Sequence, residues 1–283
     1  MPVPVCVPVP ENLIIHLRYV YHLFFHLQLF FVLYMIAFVL SHRLYLANHI
    51  NKKFLIMNFS ANGEHRDFFH QHSWIECEGI LSSSQLELLP KEIKEALLIR
   101  TGIRKEAIDD DKSFMLGRDL WRAAPLLKKI IVQKSLGQIA SELTECKPLR
   151  IGYDQFFPSV GQYQGAYSKF LEQTITLQEL SGIQGVMCGL MLCVAPPNKH
   201  LSALTSENIF PFSVGNGVFF TPDFPIDFRI LKAIGGEYLL VVYVKEKAIY
   251  CRQDRDPNNH TFKQLGYNYG DRLLDALNPI VYR

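Results

Sequence analysis

The stretch GVFFTPDFPID, residues 217–227, decides how the rest of the chain is read. Its Val218-Phe219-Phe220 core is the β-branched and aromatic composition of a buried strand, which predicts a strand over 217–221. Asn216-Gly217 just before it is a turn signal, ambiguous without a fixed partner strand. Outward from this point, strand-like runs recur at 149–157, 174–180, 186–194, 238–244 and 248–251. Upstream of residue 149 the pattern is helical instead. Helices first and then many strands predict an α+β fold, with helices packed on an antiparallel sheet or jelly roll.

The helical half supplies its own punctuation. WIECEGIL alternates Trp74, Glu76 and Glu78 against Ile75 and Cys77, a short half-buried strand. Ser84 with Glu87 makes a capping box for the next helix, and Pro90 permits a fresh helical start. Ile93, Leu97 and Ile99 fall near one face of a helix that stops at Gly102. The consecutive carboxylates Asp109, Asp110 and Asp111 do not converge on a cation and read as a solvated polar loop. Pro125 lies near the start of one helical piece, and Ser135 with Gln138 caps another. At the far end, YGDRLLDALNPIVYR reads as a short Asp271-capped helix stopped before Pro279, then a docked tail.

Composition narrows the function classes. The 283 residues are 49% apolar and 20% charged, enough to bury a core. A net charge of +2 gives no electrostatic footprint for nucleic acid. The six cysteines form no CxxC pair, which excludes a zinc ribbon or thioredoxin motif and points to reduced thiols.

The first 56 residues are a different material. MPVPVCVPVP alternates Pro with Val or Cys and suits an extended backbone. From Leu23 to Leu40 only His26 and Gln28 interrupt an apolar run, about the minimum for a bilayer-spanning helix. Arg18 lies before that run and Arg43, Lys52 and Lys53 after it, which leaves the C-terminal part at the cytoplasmic face. His22 and His26 share a helical face but lack a second ligand helix for haem, so they read as interfacial or partner-facing. Met57 opens a stretch of soluble composition, so a translation start there gives a cytoplasmic protein without the anchor. The expected organisation is thus residues 1–56 as tail, membrane-type helix and linker, and 57–283 as the folded domain.

Several chemistries lose their usual supports. A P-loop, GxGxxG, GxSxG and HExxH are all missing. DRDPNNHTFKQL, residues 254–265, begins like a calcium loop with Asp254, Asp256 and Asn258. Asn259 then replaces the required glycine and Leu265 the required glutamate, so a polar turn is expected. His65, His70 and His72 cluster; on a strand the last two would point the same way, but a third metal ligand would have to come from elsewhere.

The order of features resembles the phytanoyl-CoA dioxygenase-like branch of the iron- and 2-oxoglutarate-dependent oxygenases. HSWIECEGILSSSQLELL is similar to the opening strand, turn and helix of that family. PLLKKIIVQKSLGQIASEL followed by KPLRIGYDQFFP looks like its paired helices and first long strand. GNGVFFTPDFPI looks like the strand that leads to its distal metal histidine. The resemblance covers about residues 66–250 and implies a double-stranded β-helix (jelly-roll, cupin-like) core. It also implies a facial triad of two histidines and a carboxylate around Fe(II), with open positions for 2-oxoglutarate. This sequence departs from that pattern. Leu177 stands in the His-x-Asp window TLQELSG, followed by Gln178-Glu179; Pro225 or Ile226 stands near the distal histidine; Glu237 stands near the basic residue that would grip 2-oxoglutarate. The chain also looks like a protein of obligate intracellular bacteria, a likeness that implies no activity.

The expectation is therefore a non-catalytic, degenerate oxygenase-like domain that binds or scaffolds, without a metal cofactor. Its partner would be a small molecule or protein, and not nucleic acid. Asp154, Gln155, Gln178 and Glu179 are the inward-facing ligand-binding candidates. The alternative is a divergent oxygenase using Fe(II) and 2-oxoglutarate on a rearranged site: His65 and Asp67 of the one formal His-x-Asp, with His200. A third class is an interaction protein anchored by Tyr267, Tyr269 and Tyr282.

Overall fold

The computed structural model describes residues 61–102, 108–161, 165–198 and 209–283. The Pro/Val tail, the apolar run from Leu23 to Leu40, the boundary at residue 56 and His200 lie outside them. Among the described residues, no helix is long and apolar enough to cross a membrane.

Helix α1 (Gly63–His72) begins at Asn62, which accepts from the His65 amide and donates its own amide to the His65 ring. His70 and His72 are therefore on a helix and not a strand; two residues there are about 200° apart, and both are exposed. Strand β1 (Trp74–Cys77) keeps the expected alternation, with Ile75 and Cys77 buried. Helix α2 (Ser83–Thr101) carries its capping box at Ser82 and Gln85, two residues before the expected Ser84 and Glu87, because the extended backbone ends at Ser82. Pro90 lies inside this helix, and Gly102, in the left-handed region at φ 67°, ends it. The buried stripe is Leu89, Ile93, Ala96 and Leu97. Ile99 is 57% exposed, since six residues beyond Ile93 the helix has turned its side chain about 240° around the axis.

The three aspartates are not a solvated loop. Asp109 caps helix α3 (Asp110–Met115), Asp110 accepts from the Gly161 amide, and Asp111 accepts from the amides of Ala166 and Tyr167. Unsatisfied amides at the start of one helix and in a distant loop explain why three acids stand together. A single 3₁₀ turn at Leu120–Arg122 leads to α4 (Pro125–Ile131), with Pro125 in its first turn, and α5 (Lys134–Thr144). Ser135 is already inside α5; the cap position is Gln133, without a side-chain cap bond.

The second half runs β2 (Leu149–Phe157), α6 (Ala166–Phe170), β3 (Thr174–Thr176), α7 (Leu177–Leu180), β4 (Ile183–Ala195), β5 (Gly217–Phe220), β6 (Pro225–Asp227), α8 (Phe228–Ile234), β7 (Glu237–Tyr250), α9 (Thr261–Gln264) and β8 (Ile280–Tyr282). The run expected at 174–180 breaks after Thr176, and those at 238–244 and 248–251 are one strand. Around Asp271 no helix forms. The backbone there is hydrogen-bonded to β7 instead: Gly270 donates to Tyr250, Tyr250 to Asp271, and Leu273 to Ala248.

Among the described residues all strand pairings are antiparallel. A six-stranded sheet has the order β1-β5-β4-β7-β2-β8, and β3 with β6 makes a two-stranded sheet. The period of two sorts side chains onto two faces. On β7, Leu239, Val241 and Tyr243 pack with the helices, beside Cys188, Leu190 and Leu192 of β4. The alternate Tyr238, Leu240, Val242 and Val244 pack with Ile175 of β3 and Ile226 of β6. The large sheet is thus a partition between a helical layer and the small sheet. Each buried Leu or Val adds roughly 2 kcal/mol by leaving water.

One glycine sets this sorting on β2. The register breaks between Ile151 and Tyr153, so Ile151 faces the helices while Tyr153 faces the small sheet. A Cβ on Gly152 would come within 2.9 Å of Val244 and 3.2 Å of the Val242 carbonyl oxygen. The bulge requires glycine there.

Candidate functional site

The junction of β3 and α7 is built by one threonine. Thr176 has an extended backbone, and its hydroxyl accepts from the Glu179 amide at 3.2 Å. The Glu179 carboxylate accepts from the Thr176 amide and hydroxyl, each at 3.0 Å. This reciprocal cap closes a single helical turn. It also fixes directions. Leu177 is turned inward and fully buried, while Gln178 and Glu179 are exposed. Glu179 pairs with Arg255 at 2.6 Å. Its pKa is lowered, first by the Thr176 amide and hydroxyl and then by Arg255. The expectation that Gln178 and Glu179 face inward is overturned by this cap.

Across the small sheet, Ile175 is opposite Ile226 and Thr176 is opposite Pro225. Ile226 is fully buried and Pro225 is exposed. Leu177 and Ile226 belong to the same apolar cluster, with Phe157, Phe170, Phe220, Phe228 and Leu240. Phe170, Phe157 and Phe228 stack around one another at centroid distances of 4.8–6.3 Å. The space between the sheets is filled with rings and branched chains.

Gln155 on β2 enters a polar network that the sequence did not reveal. Arg118 donates through Nε to the Gln155 carbonyl oxygen at 2.9 Å, and through both terminal nitrogens to Asp256 at 2.8 and 3.2 Å. Asn258 donates its side-chain amide to the same Gln155 oxygen and its backbone amide to Asp256, each at 2.9 Å. The Gln155 amide donates to the carbonyls of Phe114 and Phe156. The guanidinium also lies 3.8 Å above the Tyr153 ring centroid. All four polar residues are buried. The signal available was the Asp256-x-Asn258 spacing, which reads as a failed calcium loop. Here the same acceptors take an arginine, which supplies the positive charge from the protein itself.

The remaining candidates do not converge. Asp154 is buried on the opposite face of β2, beside Asp119 and Arg122. His65 caps its own helix, and Asp67, two residues on and about 200° around the axis, is exposed. Among the described residues no group of three or more His, Cys, Asp or Glu is placed to hold a metal ion. Tyr267 is buried, its hydroxyl donating to Asn278, whereas Tyr269 is 44% exposed and Tyr282 half-buried. An open depression of about 280 Å³ borders the network at Asp256 and is also lined by Gln253, Asp254, His260, Lys263 and Tyr269.

No protein-family model and no curated protein sequence matches the chain. Solved structures do. The chain is similar to the non-heme alpha ketoglutarate dependent carbocyclase SnoK from nogalamycin biosynthesis, at TM-score 0.54 and 12% identity, over 79% of this chain and 98% of that one. It is also similar to the epimerase SnoN in complex with Fe3+, alpha ketoglutarate and nogalamycin RO, at TM-score 0.53 and 9% identity, over 76% and 96%. CT296 from Chlamydia trachomatis aligns at TM-score 0.40 and 18% identity, over 66% and 97%. For SnoK and SnoN, at these identities, the likeness is one of fold: a mixed α/β chain with a curled antiparallel sheet.

Proposed function

We propose that this chain is an oxygenase-like jelly-roll domain that binds or scaffolds and does not carry out iron chemistry. The observation that supports the reading is the burial of Leu177 and Ile226 in one apolar cluster, at the positions where the resemblance puts the two metal histidines. A facial triad takes two imidazole nitrogens and a carboxylate. Leucine and isoleucine side chains carry no lone pair, and Glu179 is turned away into its pair with Arg255. At the place of the 2-oxoglutarate-gripping cation stands Glu237, whose charge has the wrong sign. Among the described residues, those at these positions do not fit the metal or its co-substrate.

Binding then falls to surfaces outside the filled interior, and Gln155 serves the Arg118 network instead of a ligand. Attachment to a membrane through the run from Leu23 to Leu40, with the domain at the cytoplasmic face, remains part of this proposal.

The test uses the purified full chain in detergent, loaded with Fe(II) without oxygen and then given 2-oxoglutarate and air. The expected result is no stoichiometric iron after desalting and no succinate. Stoichiometric iron together with succinate release would overturn the reading and favour the divergent oxygenase.

A further inference from the structure

Asp154 lies on β2 next to Gln155 but faces the helical layer, where its surroundings differ in kind. It is 0% exposed, and no side chain donates a hydrogen bond to either carboxylate oxygen. The charged groups that reach it come from three places: Asp119 just before the 3₁₀ turn, Arg122 within that turn, and Arg100 from α2. The Trp121 backbone adds a weak favourable contribution.

Neither cation hydrogen-bonds Asp154, although Nε and one terminal nitrogen of Arg122 are buried without a hydrogen-bond partner. Arg100 donates to the carbonyl oxygens of Leu116 at 2.7 Å and Asp119 at 2.6 Å, and also to that of Arg118. Arg122 is paired with Asp119 at 3.2 Å, donates to the Leu277 carbonyl, and lies 4.3 Å over the Trp121 ring. Asp119 is itself buried, with Oδ1 facing Arg122 and Trp121 and Oδ2 without a partner. A charge on Asp154 would therefore meet a dry interior and a second carboxylate, with no side chain donating to it and only the Trp121 backbone and the two arginines in its favour. Burial first, and then Asp119, push its pKa up to about 8.

The place matters because a seam of backbone bonds runs through it. The Asp119 amide donates to the Asp154 carbonyl and the Phe156 amide to the Gly117 carbonyl, each at 2.9 Å, with Arg118 bridged to Gln155 between them. Arg122 carries the connection on to Leu277, near the C-terminal strand.

We propose that Asp154 is a proton-operated latch: the folded chain keeps it as a neutral acid, and loss of that proton loosens the seam between segment 117–119 and β2. The sign follows from linkage. A carboxyl whose folded pKa lies above its unfolded value of 3.8 stabilises the fold most below that value. The contribution falls as pH rises, because the unfolded chain has already released the proton, and it is gone once pH passes about 8.

The test compares urea unfolding of the full chain with that of Asp154→Asn, which keeps the shape and cannot ionise, from pH 5 to 9. The ratio of the wild-type to the variant unfolding constant should climb about tenfold per pH unit and level off above about pH 8. Asp119→Asn, which removes the neighbouring charge, should move the levelling point to lower pH. Opening of the Phe156 amide, read by hydrogen exchange, should follow the same curve in wild type and stay flat in Asp154→Asn. A ratio that does not change between pH 5 and 9 overturns the proposal. If Asp154→Asn does not fold, infrared spectra of the wild type decide: no protonated-carboxyl band at pH 6 overturns it, and a band lost by pH 10 supports it.

Discussion

Arg118 and Asp256, 138 residues apart, meet through two nitrogen–oxygen contacts of 2.8 and 3.2 Å in a place closed to water. The pair fastens the loop after α3 to the loop after β7. The whole network around it is satisfied except for the Asn258 side-chain oxygen, which has no partner.

Removing one partner leaves the other as a buried, uncompensated charge. Asp256→Asn or Arg118→Met alone should each cost about 3–5 kcal/mol of unfolding free energy, read from urea midpoints. The double variant Arg118→Met with Asp256→Leu should cost clearly less than the sum of its parts, because neither charge remains. Simple addition of the two single effects would show that the pair does not act as a unit.

Leu177 is fully buried between the two sheets. Leu177→Ala should lower stability by about 2–5 kcal/mol, and Leu177→Met, which conserves volume, by less than about 1.5 kcal/mol. Thermal unfolding of the two variants separates a packing role from a functional one, since only packing orders them this way.

Gly189 on β4 lies beneath the Phe220 ring, and an added Cβ would come within 2.3 Å of the ring's Cζ. Gly189→Ala should therefore destabilise by about 1–3 kcal/mol through overpacking. Adding Phe220→Leu should recover part of that loss. A double variant no better than Gly189→Ala would place the strain elsewhere.

The legible part of this fold was its periodicity. β2 matches the sequence reading over 149–157, and Gly102 and Pro125 punctuate the helices where their backbone preferences require. What was illegible depended on partners distant in sequence. Asp256 and Asn258 look like a solvated turn until Arg118 is brought to them. Asp110 and Asp111 look solvated until the amides of Gly161, Ala166 and Tyr167 arrive. Asp154 and Gln155 are neighbours that alternate onto opposite faces, so one reading could not serve for both. Gln178 and Glu179 were misdirected by a local event: the Thr176 cap turned an expected strand into a helical turn.

That cap makes its own pH prediction. The Glu179 pKa is lowered, so its contribution is present above the ordinary carboxylate value of 4.5 and is lost as pH falls through the folded one. Acidification should open the β3–α7 junction in wild type, seen as faster hydrogen exchange at the Glu179 amide relative to Glu179→Gln. Equal exchange in both proteins down to pH 3 would show that the carboxylate does not hold the turn.

The outer side of β2 is covered twice, by pieces from different parts of the chain. β8 pairs with Leu149 and Arg150, and residues 117–119 bond to Asp154 and Phe156. A nine-residue, wholly buried strand with bare peptide groups would be a template for another copy to add onto. Because two separate covers share the task, peeling away one alone still leaves part of that edge occupied, so runaway self-association requires both to be displaced at once.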